Sequence, residues 1–96
     1  MIINNLIIKL KGRNENEIER AKDVLLSMKG KIPVLLDIQV KKDVRGSGES
    51  PYDIMLITQF NTVEDRKLYL DHPVHVEVAK YISDVTEVSA SLCYEL

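Results

Sequence analysis

Hydrophobic residues follow two different periods along this chain, and the change from one to the other predicts its elements. Residues 2–10 are rich in isoleucine and leucine, which is typical of a strand. After Asn14, which precedes Glu17 by three residues as in a capping box, apolar positions recur at helical spacing to about Lys29. Gly30 favours a helix end there, because glycine readily adopts a positive φ. The helical positions that share one apolar face are Ile18, Ala21, Leu25 and Met28.

Two further strands are predicted in the middle of the chain. Apolar and polar residues alternate over 34–40, and residues 53–60 are rich in β-forming side chains. Between them, residues 45–51 combine glycine, serine and proline, which is typical of a loop. Gly46-Ser47-Gly48 lacks the pattern of a phosphate-binding loop, so it is predicted to form the tip of a hairpin or a lid over a cavity.

The last third of the chain is predicted to hold a helical region broken in two and a final strand. Thr62 is a suitable N-cap, with Asp65 at the third helical position. The helix is expected to break before Pro73, because the residue preceding a proline avoids the α region. Residues 87–96 predict the last strand. The order β-α-β-β-α-β predicts one α+β domain over residues 1–96, a ferredoxin-like sandwich with its helices on one face of an antiparallel sheet.

The predicted sheet has apolar residues on both of its faces. In the first strand Ile3 and Ile7 point away from the side that the alternating Leu6, Ile8 and Leu10 occupy, and the third strand repeats this pattern. A second apolar face usually marks an interface. We therefore expect a symmetric homodimer in which two sheets pack face to face as a dimeric α+β barrel. The alternative is that these strands are central and partly shielded by long side chains.

Composition and charge narrow the classes of partner. The 96 residues carry a formal charge of −2 with scattered lysine and arginine, so no nucleic-acid partner is predicted. No apolar run approaches membrane-spanning length, and no basic segment precedes the first apolar stretch, so we expect a cytoplasmic protein without a membrane partner. Cys93 is the single cysteine, which fits a reducing compartment, and it is expected to be a small packed side chain.

The candidate chemistry lies between Tyr69 and His75, the segment that contains both histidines. Histidine is the side chain that ordinarily titrates near neutral pH. His75 flanks the apolar stripe of the last helix, so it could abstract a proton from a carbon next to a carbonyl, with Tyr69 polarising the carbonyl oxygen. The alternative is that His75 is half-buried and satisfies backbone groups at the helix break.

His72 and Pro73 are assigned a structural role in the same segment. His72 precedes the proline and is expected at the N-cap of the last helix, where it or Asp71 can bond free amides. The proline disrupts helical phasing between His72 and His75, and no further histidine or cysteine is nearby in sequence. We therefore predict no metal site and no cofactor.

The chain resembles the stress-responsive A/B barrel domain family, often called Dabb, of the dimeric α+β barrel superfamily. The most specific match is Tyr69-x-x-His72-Pro73-x-His75. The other matching segments are Ile7-Ile8-Lys9-Leu10-Lys11, Ile32-Pro33, Ser50-Pro51-Tyr52-Asp53 and Phe60-Asn61-Thr62-Val63-Glu64-Asp65. The resemblance covers essentially the whole chain and implies a ferredoxin-like fold and a homodimer.

The same resemblance implies less about activity. Many members have no assigned reaction, some are stress-associated plant proteins, and at least one plant member is a polyketide cyclase. In that cyclase the tyrosine and the second histidine of the motif act as an acid/base pair, and the matching residues here are Tyr69 and His75. Members often have a histidine at the position of Asn4, and an Asp-Tyr pair where this chain has Cys93-Tyr94. Sister families include cofactor-free monooxygenases.

These observations predict an apolar cleft between the helices and the sheet, suited to a small acyl, aromatic or carbonyl-containing ligand. The first hypothesis is a ligand-binding barrel with cofactor-free, cyclase-like acid/base chemistry. The alternative is a non-catalytic, stress-related structural or assembly protein in which the motif only locks the helix break. The residues predicted to line the cleft are Asn4, Leu6, Ile8, Leu25, Tyr69, His75, Val78 and Ile82.

Overall fold

A four-stranded antiparallel sheet, with the strand order β2-β3-β1-β4, supports three helices in this computed structural model. The structure describes residues 1–46 and 48–96, so Ser47, in the predicted hairpin tip, lies outside the described residues. The order is ferredoxin-like with its second helical region divided, which confirms the predicted fold. The elements are β1 Ile2–Leu10, α1 Glu15–Leu26, β2 Asp37–Lys42, β3 Ile54–Phe60, α2 Val63–Asp71, α3 Pro73–Val85 and β4 Thr86–Glu95.

The first helix begins where its capping residue predicts but ends earlier. The Asn14 side chain accepts a hydrogen bond from the Glu17 amide at 2.9 Å, which confirms the N-cap. The helix ends at Leu26 rather than near position 29, because the chain then turns through Gly30, whose φ is +77°. Met28 still lies in the core, so the apolar face extends beyond the helix itself.

The second strand begins three residues later than the alternation predicts, at Asp37. The preceding residues form a turn in which the Leu35 amide donates to the Ile32 carbonyl at 3.0 Å. The first bond toward β3 runs from the Leu36 amide to the Gln59 carbonyl at 2.9 Å. Alternating hydrophobicity before this point reflects packing of the turn on the core, because turn residues can bury apolar side chains without strand pairing.

The predicted helix break is confirmed, and the helices before and after it each begin at a side-chain N-cap. Thr62 Oγ1 accepts from the Asp65 amide at 3.1 Å at the start of α2. His72 leaves the helical region with φ −66° and ψ 136°, as expected for a residue before Pro73. Its Nδ1 accepts from the Val74 amide at 3.1 Å, so His72 is the N-cap of α3.

The helices cover one face of the sheet and leave the other open. The covered face holds the buried core, in which Phe60, Ile8 and Leu10 are almost completely inaccessible to solvent. On the open face, Ile7 lies between Met55 of β3 and Ala90 of β4 in the strand register. Other apolar residues of the open face are Ile3, Ile57, Val88, Leu92 and Tyr94. The predicted second apolar face is therefore present.

A buried ion pair that the sequence analysis did not predict joins Asp53, just before β3, to Arg13, which follows β1. The Asp53 side chain is only 1% exposed and accepts from the Leu10 amide at 2.9 Å and from Arg13 Nε at 3.1 Å. Arg13 also donates to the Ser50 carbonyl. These bonds hold the end of the hairpin formed by β2 and β3 against β1. Each partner satisfies a polar group that would otherwise be buried without a hydrogen bond.

Cys93 is exposed on the edge strand β4, so the expectation of a packed cysteine is wrong. The residues of this strand beyond Thr86 are exposed on both faces. Across residues 1–46 and 48–96, no helix combines the length and apolar character needed to cross a membrane.

Candidate functional site

A cavity of about 380 Å³ lies between the helices and the β1–β4 side of the sheet. All eight residues predicted to line the cleft lie on its wall. The wall residues that the sequence analysis did not name are Met28, Leu56, Arg66, Leu70, Ala79, Ser83, Thr86, Ser89 and Ser91. The volume is at the lower end of the range of about 300–1,000 Å³ that is usual for small-molecule sites.

The cavity exists because short side chains on β4 lie next to bulky side chains on β1. Ser89 and Ser91 of β4 pair in register with Ile8 and Leu6 of β1, so the helix-facing side of β4 carries short polar side chains beside bulky apolar ones. Ala79 on α3 faces the same space. The cavity lining is therefore aliphatic on the β1 side and carries hydroxyl groups on the β4 side.

Tyr69 is held deep in the cavity as a neutral hydrogen-bond donor. Its side chain is buried, and its ring packs at 5.0 Å from the ring of Phe60. Burial raises the pKa of Tyr69 to about 12, against a smaller opposing effect of the Arg66 charge. The hydroxyl points to the sulfur of Met28 at 3.8 Å, and sulfur is a weak acceptor. A ligand oxygen could replace this contact at little cost.

His75 is positioned as a neutral base beside Tyr69. Its Nδ1 lies 2.9 Å from the Leu70 carbonyl oxygen, and because a carbonyl only accepts, Nδ1 carries the proton and Nε2 keeps its lone pair. Burial lowers the pKa of His75 below 6.5, the Arg66 charge lowers it further, and the bond to Leu70 opposes this. The ring centroids of His75 and Tyr69 are 4.4 Å apart.

Asn4 supplies a polar group at the sheet side of the cavity. Its side-chain oxygen is buried and, within the described residues, has no hydrogen-bond partner. A buried acceptor without a partner costs free energy, which a donor on a ligand would recover. The position at which family members often have a histidine therefore still presents a hydrogen-bonding group.

Arg66 is the charged wall residue that the sequence analysis missed. It lies three residues before Tyr69 on α2, and residues at this spacing share one side of a helix. This spacing is the signal that could have identified it. Its charge lowers the pKa of both Tyr69 and His75, so it acts directly on the candidate pair.

His72 and Pro73 do not line the cavity, since His72 is occupied with the cap of α3. In the part of the chain that the structure describes, no group of three or more histidine, cysteine, aspartate or glutamate side chains is arranged to hold a metal ion. The described wall contains neither aspartate nor glutamate. The titratable or charged side chains on the described wall are therefore an imidazole, a phenol and a guanidinium.

The family model described as the Stress responsive A/B Barrel Domain, Dabb, matches residues 6–95. The chain belongs to the Dabb family. This match spans both helical regions and all four strands, and it includes the Tyr69–His75 segment. No curated protein shows significant sequence similarity to this Dabb domain.

Solved structures share the fold over nearly the full chain. A dimeric protein of unknown function with a ferredoxin-like fold from Bacteroides fragilis is 26% identical, with a TM-score of 0.82 over 99% of this chain and 95% of that one. A protein from Arabidopsis thaliana is 19% identical, with a TM-score of 0.85 over 100% and 95%. A hydroxynitrile lyase from Passiflora edulis is 15% identical, with a TM-score of 0.83 over 99% and 92%. The last two show likeness of fold alone.

Proposed function

We propose that this Dabb protein binds a small, largely apolar carbonyl compound in the cavity and catalyses a cofactor-free proton transfer on it. The observation that carries the proposal is the pairing of two groups in one cavity. His75 presents a free Nε2 lone pair, and its ring centroid lies 4.4 Å from that of Tyr69, a protonated donor. Aliphatic side chains surround both groups, so water is partly excluded and their hydrogen bonds to a ligand are strengthened.

The proton transfer follows from the roles of the two groups. Nε2 of His75 takes a proton from the carbon next to the carbonyl, and the C–H electron pair forms a C=C bond as the carbonyl oxygen becomes an enolate. The Tyr69 hydroxyl donates to that oxygen and stabilises its developing charge. The Nδ1 bond to Leu70 fixes the ring during this step. Return of the proton from His75 to carbon completes the cycle.

The comparisons support small-molecule chemistry on this fold without naming a substrate. One protein that shares the fold is a hydroxynitrile lyase. Another, from Deinococcus radiodurans, is a putative antibiotic biosynthesis monooxygenase that is 11% identical, with a TM-score of 0.76 over 100% of this chain and 92% of that one. Redox chemistry has less support here than proton transfer, because the described wall supplies a base and a donor placed side by side.

Benzylacetone, an apolar ketone, tests this proposal in D₂O by NMR. The protein is expected to accelerate exchange of the protons next to the carbonyl, with a rate that falls on the acid side at a midpoint below pH 6.5, because burial lowers the pKa of the His75 base. Ala79→Leu, which fills the cavity, should reduce the rate about tenfold. Val76→Leu enlarges the outer side of the same helix and should leave the rate unchanged. Exchange that is absent, or equal in both variants, would contradict the proposal.

One observation favours the structural alternative. The Nδ1–H of His75 on α3 satisfies the carbonyl of Leu70 near the end of α2, so this bond joins the two helices across the break. His72 caps α3 at the same point. In this second candidate function, the motif only fixes the angle between the helices, and the cavity holds no substrate.

We also propose that two copies form a homodimer through the open sheet face. Met55 is 37% and Leu92 is 66% exposed there, and exposed apolar patches of this kind mark interaction sites. The Bacteroides fragilis protein, at 26% identity, is dimeric, which supports a dimer here. Residues 1–96 would then act as one domain of each subunit, and the single cysteine supports a reducing, cytoplasmic location.

Leu92→Lys is expected to convert the dimer to monomers at micromolar concentration, because it places a charge in the apolar interface. Sedimentation velocity measures the outcome. Leu68→Lys is the matched control, because Leu68 is 60% exposed on α2 and lies away from the open face. A wild-type protein that sediments as a monomer, or a control that dissociates equally, would overturn the proposed interface.

A further inference from the structure

Arg66 is the only permanently charged side chain on the described wall of the cavity. The rest of the wall is aliphatic, aromatic, hydroxyl or amide, apart from the imidazole of His75, whose pKa is lowered below 6.5. Arg66 is partly buried, and within the described residues its guanidinium has neither an ion-pair nor a hydrogen-bond partner. A positive charge that is partly withdrawn from water without a counter-charge is costly, and it attracts an anion.

The other arginines of the chain all have a partner, so an arginine side chain without one is unusual in this molecule. Arg13 pairs with Asp53 at 3.1 Å, and Arg45 pairs with Asp43 at 2.8 Å. Arg20 lies 5.4 Å above the ring of Tyr81. Each of these side chains has a partner within the protein, whereas Arg66 has none among the described residues and faces the space next to the candidate base.

We propose that the ligand of this site carries a carboxylate, which Arg66 binds, so that the substrate class is an apolar keto acid or related acyl carboxylate. This inference rests on the proposed function, because it places the ligand carbonyl beside Tyr69 and His75. A guanidinium binds a carboxylate with two parallel N–H donors, which orients the ligand as well as holding it. The aliphatic side chains of Leu6, Ile8 and Val78 contact the apolar part of the ligand.

A carboxylate fits the wall better than a phosphate. A phosphate group carries more charge and is usually bound by several cations or by a series of backbone amides. The described wall offers one cation, and its one residue from the first turn of a helix is His75 of α3, where the His72 cap already accepts from the Val74 amide. A single monovalent anion balances the one positive charge of Arg66.

Two probes that differ at one group test the inference. Benzylacetone is the neutral probe, and homophenylpyruvate is the same molecule with a carboxylate in place of the ketone methyl group. We expect wild-type protein to bind homophenylpyruvate about tenfold or more tightly than benzylacetone, measured by calorimetry with the His75 ring resonances as the reporter of position. Arg66→Met, which keeps the aliphatic stem, should abolish this preference by weakening homophenylpyruvate binding about tenfold or more.

Arg20→Met is the matched control, because it removes one positive charge from a residue outside the cavity and should retain the preference. Arg66→Lys keeps the charge without the two parallel donors and should give an intermediate preference, which also replaces Arg66→Met if that variant fails to fold. Added salt should weaken homophenylpyruvate binding and leave benzylacetone binding unchanged.

The outcomes separate this inference from the proposed function. Equal binding of the two probes, or a preference that survives in Arg66→Met, overturns the carboxylate assignment and leaves a neutral carbonyl ligand in place. Binding of neither probe overturns both proposals. Binding of both, with a preference that only the Arg66 variants reduce, supports the carboxylate assignment.

Discussion

His75→Asn is expected to keep the fold and to lose proton exchange on benzylacetone by a factor of about a hundred to ten thousand. The asparagine side-chain nitrogen takes the place of Nδ1, so it can still donate to the Leu70 carbonyl that His75 reaches at 2.9 Å. No atom takes the place of Nε2, so the base is absent. The exchange rate by NMR and the melting temperature are measured on the same sample.

His75→Ala is the comparison that separates the two candidate functions. It removes both nitrogens, so it should lose the exchange and also about 1 kcal/mol of stability from the broken bond across the helix break. If asparagine keeps both stability and exchange, His75 is not the base. If wild-type protein shows no exchange, and alanine lowers the melting temperature while asparagine does not, the structural alternative is supported.

Asp53→Ala is expected to lower the free energy of unfolding by about 3–5 kcal/mol, the largest effect on stability among these predictions. The substitution leaves the Arg13 guanidinium without its carboxylate and the buried Leu10 amide without its acceptor. Small domains have only about 5–15 kcal/mol of stability in total, so this loss is a large fraction of it. Urea unfolding measures the change.

Asp43→Ala is the matched control on the same hairpin. Asp43 also pairs with an arginine, Arg45 at 2.8 Å, but that arginine is 55% exposed. Solvent screens such a pair, so its loss should change stability little. A loss in Asp53→Ala no greater than that in Asp43→Ala would contradict the assignment of the Arg13–Asp53 pair as a main support of the hairpin.

Local signals in the sequence located most of the elements. Asn14, Thr62 and Pro73 each act on their immediate neighbours through a cap or a fixed φ, so their effects could be predicted from sequence alone. The limits of α1 and β2 could not be placed as well, because the apolar residues around Met28 and Leu35 are buried from turns as well as from regular elements. Hydrophobic periodicity reports burial, and it does not by itself report hydrogen bonding.

The candidate site, like the fold, could be predicted only in part from the sequence. The residues predicted for the cleft were named from the resemblance and from periodicity, and the structure brings all eight to one cavity. The spacing to Tyr69 could have placed Arg66 on the cavity side of α2, but it could not show whether a counter-charge faces it. Its assignment depends on the absence of a counter-charge within the described residues, which is a property of the surroundings and not of the helix.

The amino-acid sequence by itself determined the order of elements, the break between the last two helices and the two apolar faces of the sheet, because each depends on contacts within a few residues or on strand alternation. Only the tertiary structure decided which charges find partners. Asp53 meets Arg13 from 40 residues away, whereas Arg66 meets no carboxylate among the described residues. Cys93 is exposed for the same reason, since β4 lies at the edge of the sheet. Pairing and burial over such distances depend on how the elements pack together.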